Sequence, residues 1–136
     1  KCESYIVREY HQFPDRLSRE YMEIGGKKHG VEKVWDTDGN LLSKSEYENG
    51  ELHGKEKWWA FDNPRFPSVE RWHNKGKLHG LQIEYYTDGR IERQSHYDNG
   101  ELIYSSEWDK DGKLHGKVVK YYDHGRERFV HINVPD

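Results

Sequence analysis

The chain alternates short apolar and polar runs, and glycine turns interrupt these runs at a nearly constant interval. Turn signals fall near positions 26, 39, 50, 63, 76, 89, 100, 112 and 125, in steps of roughly 11 to 13 residues. The segments between them contain valine, isoleucine, tyrosine and tryptophan and almost no proline. Asn-Gly and Asp-Gly pairs favour tight hairpins because both residues tolerate a positive φ. The pattern therefore predicts consecutive antiparallel strands joined by short turns.

Four turn regions carry a shared Gly-x-x-His-Gly motif, which marks an internal repeat. Its histidine and glycine pairs are His29 and Gly30, His53 and Gly54, His79 and Gly80, and His115 and Gly116. We interpret them as structural turn residues whose imidazole packs on the hairpin or forms a hydrogen bond across it. Equivalent positions of neighbouring hairpins are about 10 Å apart, too far for two histidines to share one zinc ion. The sequence therefore predicts no metal site and no cofactor.

Aromatic residues follow the motif at a fixed distance. The fifth residue after each motif glycine is Trp35, Trp59, Tyr85 or Tyr121. With a period of two residues, this position shares a face with the first and third residues after the glycine. The returning strands carry further rings near their far ends: Tyr47, Trp72, Tyr97 and Trp108. Stacked hairpins would align these rings in rows, so we predict an aromatic sheet face that binds a protein or peptide.

The stretch 49–54, its variants at 75–80 and 111–116, and the aromatic pairs at 58–59, 85–86 and 121–122 resemble the MORN repeat family. The resemblance is to the variant form found in antitoxin-like proteins of toxin–antitoxin systems, and it covers about residues 20–126. It implies an elongated, twisted run of β-hairpins. We therefore predict an all-β fold, a single-layer antiparallel meander of about eleven short strands. Residues 1–136 would form one domain, with the flanking strands as caps on the repeat core.

Three segments depart from the regular pattern. Residues 15–25 show helical spacing of apolar residues. The turn signal before them lies thirteen residues ahead of Gly26, at the interval of the other turns, and this favours a strand. Residues 62–67 contain two prolines, and we expect a loop insertion there. Gly100 is not followed by the histidine motif, which predicts one extra strand. Because a meander alternates its turns between two edges, that strand would place His115 at the edge opposite His53.

Composition supports a thin sheet. The hydrophobic fraction of 32% and the charged fraction of 35% are typical of disorder, but the aromatic fraction of 14% is not. A net charge of −3 makes nucleic acid an unlikely partner class. The densest basic and aromatic cluster, at residues 55–59, has acidic neighbours, so we interpret it as a solvated face. Lipid binding stays an alternative, but its support is weak because the chain contains no polybasic cluster.

No sequence motif indicates catalysis. The chain lacks a Gly-x-Ser-x-Gly nucleophile turn, a phosphate-binding loop and a His-Glu-x-x-His helix, so we predict that it is not an enzyme. Its one cysteine, Cys2, allows no internal disulfide. The single cysteine and the lack of a visible leader slightly favour the cytoplasm. A lipid anchor on Cys2 stays an open alternative, since the chain does not begin with methionine.

These observations together indicate a non-catalytic protein-binding scaffold. The family resemblance implies an alternative, an immunity-type or antitoxin protein that neutralises one toxin. A third alternative is a repeat module associated with membrane lipid. The segment 129–135 is predicted to be the last strand, with Pro135 as its stop, and exposed sheet ends would allow self-association.

Overall fold

Strands that follow one another along the chain also pair with one another in space. The computed structural model describes residues 3–133, apart from the side chains of residues 121–123 and 133. Cys2 and Pro135 lie outside that range. The strands are β1 (Ser4–Tyr10), β2 (Leu17–Ile24), β3 (Lys27–Lys28), β4 (Gly30–Trp35), β5 (Leu41–Glu48), β6 (Glu51–Ala60), β7 (Asn63–Asn74), β8 (Lys77–Tyr85), β9 (Ile91–Asp98), β10 (Glu101–Trp108), β11 (Leu114–Asp123) and β12 (Arg126–Asn133).

All strands belong to one antiparallel sheet with the order β1-β2-β4-β5-β6-β7-β8-β9-β10-β11-β12, and β3 pairs with β2. The predicted all-β meander of hairpins is therefore confirmed. The described residues contain no helix, and hence none long and apolar enough to cross a membrane. A second layer is absent from this part of the chain, so each face of the sheet depends on its own side chains.

The most deeply buried side chains of the described residues are polar. No hydrophobic residue whose side chain the structure describes is buried, whereas four serines and four carboxylates are. The serines lie on one side of the sheet, which we call the serine face, and comprise Ser43, Ser45, Ser95 and Ser105. The register continues this row of side chains from Glu32 to Ser45 and on to Glu56, because directly paired residues point to the same side.

Buried carboxylates on the serine face have cationic partners. Glu32 accepts a hydrogen bond from Lys28 at 2.7 Å, and the Lys28 ammonium lies 4.9 Å from the Tyr21 ring and 5.0 Å from the Tyr47 ring. Glu56 lies 3.6 Å from Arg71 Nη1, and His73 Nε2 is within hydrogen-bond distance of it at 3.0 Å. A buried charge is tolerated when it is paired and hydrogen-bonded, so these contacts take the place of an apolar core.

The motif glycines create irregularities in strand pairing. Gly30, Gly54 and Gly80 have φ values of +84°, +102° and +91°, a conformation that favours glycine. A ring lies opposite each of them, Tyr47, His73 and Tyr97 respectively. On the other side of the strand, the pairing register shifts next to Gly54 and next to Gly80. The motif therefore sets which residues of adjacent strands face each other.

Consecutive turns at the same edge are joined by hydrogen bonds. The amides of Gly50, Gly76 and Gly100 donate to carbonyls of the preceding hairpin at 2.7–2.8 Å; the acceptors are Lys28, Leu52 and Leu78. Two motif histidines add to this ladder. His53 Nδ1 accepts from the Lys75 amide and His79 Nδ1 from the Asn99 amide, both at 3.2 Å. The two imidazoles thus form hydrogen bonds between one hairpin and the next.

The predictions for two of the irregular segments are confirmed and the third is wrong. Residues 15–25 contain strand β2, and β10 is the extra strand, so His115, the second residue of β11, lies at the edge opposite His53. Residues 62–67 are not a loop, because β7 already begins at Asn63. The pairing jumps from Trp59 and Pro67 to Ala60 and Asn63. The extra residues are thus accommodated as a bulge of the strand.

The bulge places Phe66 over the turn between β8 and β9. A Cβ built on Gly89 would lie 2.6 Å from Phe66 Cδ1, whereas one on Gly39, in the equivalent turn, would lie 3.6 Å from Arg16 Nη1. The φ values are +90° and +87°, so the backbone strain of an alanine is the same at both positions. Gly89 and Gly39 are therefore a matched pair of turn glycines, and they differ in that the Phe66 ring lies against Gly89 alone.

We expect Gly39→Ala to lower the free energy of unfolding by about 1–2 kcal/mol, from positive φ alone. Gly89→Ala should lower it by about 1 kcal/mol more, because the Phe66 ring must move. Urea denaturation measures both. In a Phe66→Ala background the excess at Gly89 should vanish, and equal losses at the two glycines in the unmodified chain would contradict the proposed contact.

Asp36 closes the turn between β4 and β5. Burial favours its neutral form, but hydrogen bonds from the Asn40 and Asp38 amides, both 2.9 Å long, favour the carboxylate, and the pKa of Asp36 is lowered overall.

A lowered folded-state pKa stabilises the fold above the unfolded-state pKa, and this contribution is lost as the pH falls through the folded value. Asp36→Asn should therefore flatten the acid side of the stability profile, measured by urea denaturation from neutral to acidic pH. Asp38→Asn is the control, and an unchanged slope in Asp36→Asn would contradict the argument.

Candidate ligand-binding face

Three lysines stand opposite one another on adjacent strands. Lys33 of β4 pairs with Lys44 of β5, and Lys44 pairs with Lys57 of β6. Glu20 precedes this row on β2 and Glu70 follows it on β7. We call this side of the sheet, opposite to the serine face, the lysine face. Like charges directly opposite each other destabilise a sheet, so the row is unfavourable for folding alone.

The carboxylates around the row already have partners. Arg8 donates to Glu20 at 2.8 Å, and Glu46 accepts the Lys55 amide at 2.6 Å. Glu70 lies 3.1 Å from Lys57. Within residues 3–133, neither Lys33 nor Lys44 forms an ion pair or a side-chain hydrogen bond, and Lys44 is exposed. Two ammonium groups are therefore left without an anion.

Aromatic rings flank the lysines on the same face. An open groove of about 310 Å³ is lined by Leu41, Lys44, Glu46, Lys55, Lys57 and Trp59. The Lys55 ammonium lies 5.2 Å from the centre of the Trp72 ring, within cation–π range. Burial raises the pKa of Tyr85, and so do the charge of Glu70 and a hydrogen bond to the Glu70 carboxylate. Trp59, Trp72 and Tyr85 are all half-buried, so part of each ring faces solvent.

The remaining predicted rings are not part of this cluster. Tyr47 and Tyr97 lie opposite Gly30 and Gly80, which places both rings on the serine face. The prediction that all eight rings line one face is therefore wrong for these two. Register decides which side a residue faces, and a shift of one residue reverses it. The lengths of the turns and bulges fixed this register, and the aromatic spacing did not reveal it.

Two further rings lie in grooves of their own. Trp35 shares a groove with Val34, Leu42 and Phe61. Trp108 contributes to another, and the Trp108 carbonyl accepts a hydrogen bond from the Tyr86 hydroxyl at 2.7 Å. The side chain of Tyr121 is outside the described part of the structure. A role of any of these rings in binding stays a prediction.

The motif residues occupy the structural positions described above. His53 and His79 accept hydrogen bonds from turn amides, whereas His115 lies at the other edge. The cluster at residues 55–59, considered above as one basic and aromatic patch, is divided between the faces. Trp58 pairs with Ser43 on the serine face, and Trp59 lines the groove of the lysine face. Among the described residues, no group of three or more histidine, cysteine or carboxylate side chains is placed to hold a metal ion.

Sequence reasoning missed the lysine row. Lys33 and Lys57 both stand three residues after a motif glycine, a signal that alignment of the repeats contained. Lys44 lies on a returning strand, where its alignment with the other two depends on register. The row therefore emerges only when strand pairing is known.

The comparisons with known proteins agree with the hairpin repeat. Residues 28–49 and 78–99 match the family described as MORN repeat variant. Each matched segment contains one hairpin, β4–β5 or β8–β9, and the two hairpins share their register, with Glu32 opposite Ser45 and Gln82 opposite Ser95. The matches together span less than half of the chain. No curated protein matches the sequence.

Several solved structures are weakly similar to this chain. A mutant of S. aureus TarM, in complex with fondaparinux, α-GlcNAc-glycerol and UDP, has 15% sequence identity and a TM-score of 0.45, over 66% of this chain and 18% of that one. The Glycosylation Associate Protein (Gap123) complex from Streptococcus agalactiae has 15% identity and a TM-score of 0.43, over 77% and 19%. This chain thus spans less than a fifth of either neighbour.

The like charges of the row lead to a prediction about stability. Lys44→Glu would replace two repulsive cross-strand pairs with attractive ones, so we expect the free energy of unfolding to rise by about 0.5–1 kcal/mol. The gain should shrink with added salt, which screens exposed charges. Urea denaturation at low and high salt measures it.

Lys77→Glu is the matched control, because Lys77 is exposed at the start of β8 opposite Asn74 and the change in net charge is the same. If Lys44→Glu gains no more stability than Lys77→Glu, the three lysines do not repel one another appreciably.

Proposed function

We propose that the chain is a non-catalytic protein-binding module and that its lysine face is the binding surface. One observation carries this proposal: Trp59, Trp72 and Tyr85 lie partly exposed beside an open groove that also contains Lys44, a lysine without an anionic partner among the described residues. Tryptophan and tyrosine bring a large contact area at a small loss of conformational entropy, and they are enriched where binding energy is concentrated.

The hairpin repeat provides a suitable platform for such a surface. The strands that carry the groove, β5 and β6, are held by the turn ladder at one edge and by the buried polar row behind them. A surface fixed in this way loses little freedom when a partner binds. Rigid placement of the rings therefore favours recognition of another protein.

The non-catalytic part of the proposal has separate support. The buried carboxylates Glu32, Glu56 and Glu70 each face a cation, and two motif histidines accept turn amides. These carboxylates and histidines therefore take part in structural contacts, whereas general acid–base catalysis would need such groups to exchange protons with a substrate. An antitoxin would be a special case of the proposal, with a single partner. Neither the family match nor the similar structures support an association with a toxin.

The experiment begins with capture of partners from lysate of the source cells by the tagged chain, followed by mass spectrometry. The partner is then purified, and its affinity for the chain is measured by calorimetry. A tryptophan near the centre of an interface contributes about 2 kcal/mol or more, so Trp59→Ala should weaken binding by about 30-fold. Trp58→Ala is the matched control, because Trp58 is the adjacent residue, is 42% exposed and lies on the opposite face.

Loss of affinity in Trp59→Ala with retention in Trp58→Ala would support the lysine face as the binding surface, and the identity of the partner would show whether it is a toxin. Equal losses in the two variants, or a loss confined to Trp58→Ala, would contradict the assignment of the face. Circular dichroism of each variant confirms that the sheet is intact. A lysate that yields no specific partner would refute the proposal.

A further inference from the structure

We infer that the lysine face recognises a short acidic segment of a partner protein, whose aspartate or glutamate side chains pair with Lys33 and Lys44. This inference rests on the proposed function and adds the chemistry of the partner. It follows from the charge of the row, from its dimensions and from the residues that border it.

Charge is the first argument. Lys33, Lys44 and Lys57 are adjacent across three strands, although the chain as a whole has a net charge of −3. Of the three, Lys57 has an anionic partner, Glu70 at 3.1 Å. Carboxylates placed over Lys33 and Lys44 would remove the repulsion between the two ammonium groups. Binding of an anion therefore relieves a strain that the free sheet holds.

The dimensions of the row indicate a short ligand. Neighbouring strands are about 4.8 Å apart, so the row from Lys33 to Lys57 spans about 10 Å. An extended peptide rises about 3.3 Å per residue, and alternate side chains on one side are about 6.6 Å apart. Two carboxylates separated by one residue, crossing the strands, would reach both free lysines. A third acidic residue would reach Lys57.

The surroundings of the row provide contacts for the same segment. Trp59 and Leu41 line the groove on one side of the lysines, and Lys55 with Trp72 lies on the other. Apolar or aromatic residues between the acidic positions would contact these rings. The preferred ligand is thus an acidic segment interspersed with apolar residues.

The borders of the row argue against larger polyanions. Glu20, Glu46 and Glu70 surround the lysines, so a flat anionic bilayer or a long polynucleotide would bring phosphates against carboxylates. Membrane recognition typically uses clusters of 4–8 basic residues, and single-strand binding uses a basic groove that tracks the backbone. A peptide of a few residues fits within the borders.

The test is a nuclear magnetic resonance titration of the ¹⁵N-labelled full chain. The probe is a peptide of about eight residues that alternates glutamate with leucine or serine, and its counterpart has glutamine in place of glutamate. We expect the glutamate peptide to shift the amides of Lys33, Lys44 and Lys57 and the indole of Trp59, with an affinity that falls as salt is added. The glutamine peptide should shift none of them.

Lys33→Gln/Lys44→Gln removes the two free charges without adding a repulsive pair, and we expect it to weaken peptide binding by about five- to tenfold. Lys77→Gln/Lys113→Gln makes the same change in net charge at two exposed positions and is the control. Both variants are checked for an intact amide spectrum before titration.

Absent shifts, shifts confined to other strands, or equal weakening in the two variants would overturn the inference. Phosphatidylserine vesicles and oligothymidine are titrated in parallel. Binding of either one through Lys33 and Lys44, without binding of the glutamate peptide, would assign the row to phosphate instead. If the purified partner loses affinity with Trp59→Ala and keeps it with Lys33→Gln/Lys44→Gln, the inference fails while the proposed function stands.

Discussion

The pairing register of the strands is the constraint on which the rest of this structure depends. A sheet one layer thick has no opposing layer to correct an error, and slipping one strand by one residue would exchange its two faces. The motif glycines fix the register, because their positive φ produces bulges at defined positions and a ring is seated opposite each of Gly30, Gly54 and Gly80. Hydrogen bonds between successive turns carry this register from one hairpin to the next.

Register also explains how a chain without a buried apolar residue among its described positions keeps a defined fold. Burial is concentrated on small hydroxyls and paired carboxylates in the middle of the strands. Serine fits there because it is short enough for longer neighbours to cover and because it forms hydrogen bonds, as between Ser95 and Ser105 at 3.3 Å. Since the aromatic rings are not required to fill a core, they stay half-buried at the surface, where they are available to a ligand.

The sequence was sufficient to predict the strands, but it was not sufficient to predict which face of the sheet each side chain occupies. Glycine turns at constant spacing identified the strands, and the missing motif after Gly100 identified β10, because both are local signals. The aromatic spacing predicts the wrong side for Tyr47, because its side depends on how β4 and β5 pair across the turn. The prolines of segment 62–67 predict a loop because they interrupt a strand pattern, yet a bulge accommodates them in β7. The lysine row is a property of three strands together, and no single segment contains it.

The two faces of the central strands are electrostatically related. Glu32, Ser45 and Glu56 are the sequence neighbours of Lys33, Lys44 and Lys57, and alternation places them directly behind the lysines on the serine face. Two buried carboxylates thus lie one sheet thickness from three cations, and their attraction offsets part of the repulsion within the row. The same carboxylates are held by Lys28 and His73, so they cannot turn towards the lysines and neutralise them fully. The arrangement tolerates a charged row in the folded state while leaving its ammonium groups accessible, which is the property that a surface for acidic ligands requires.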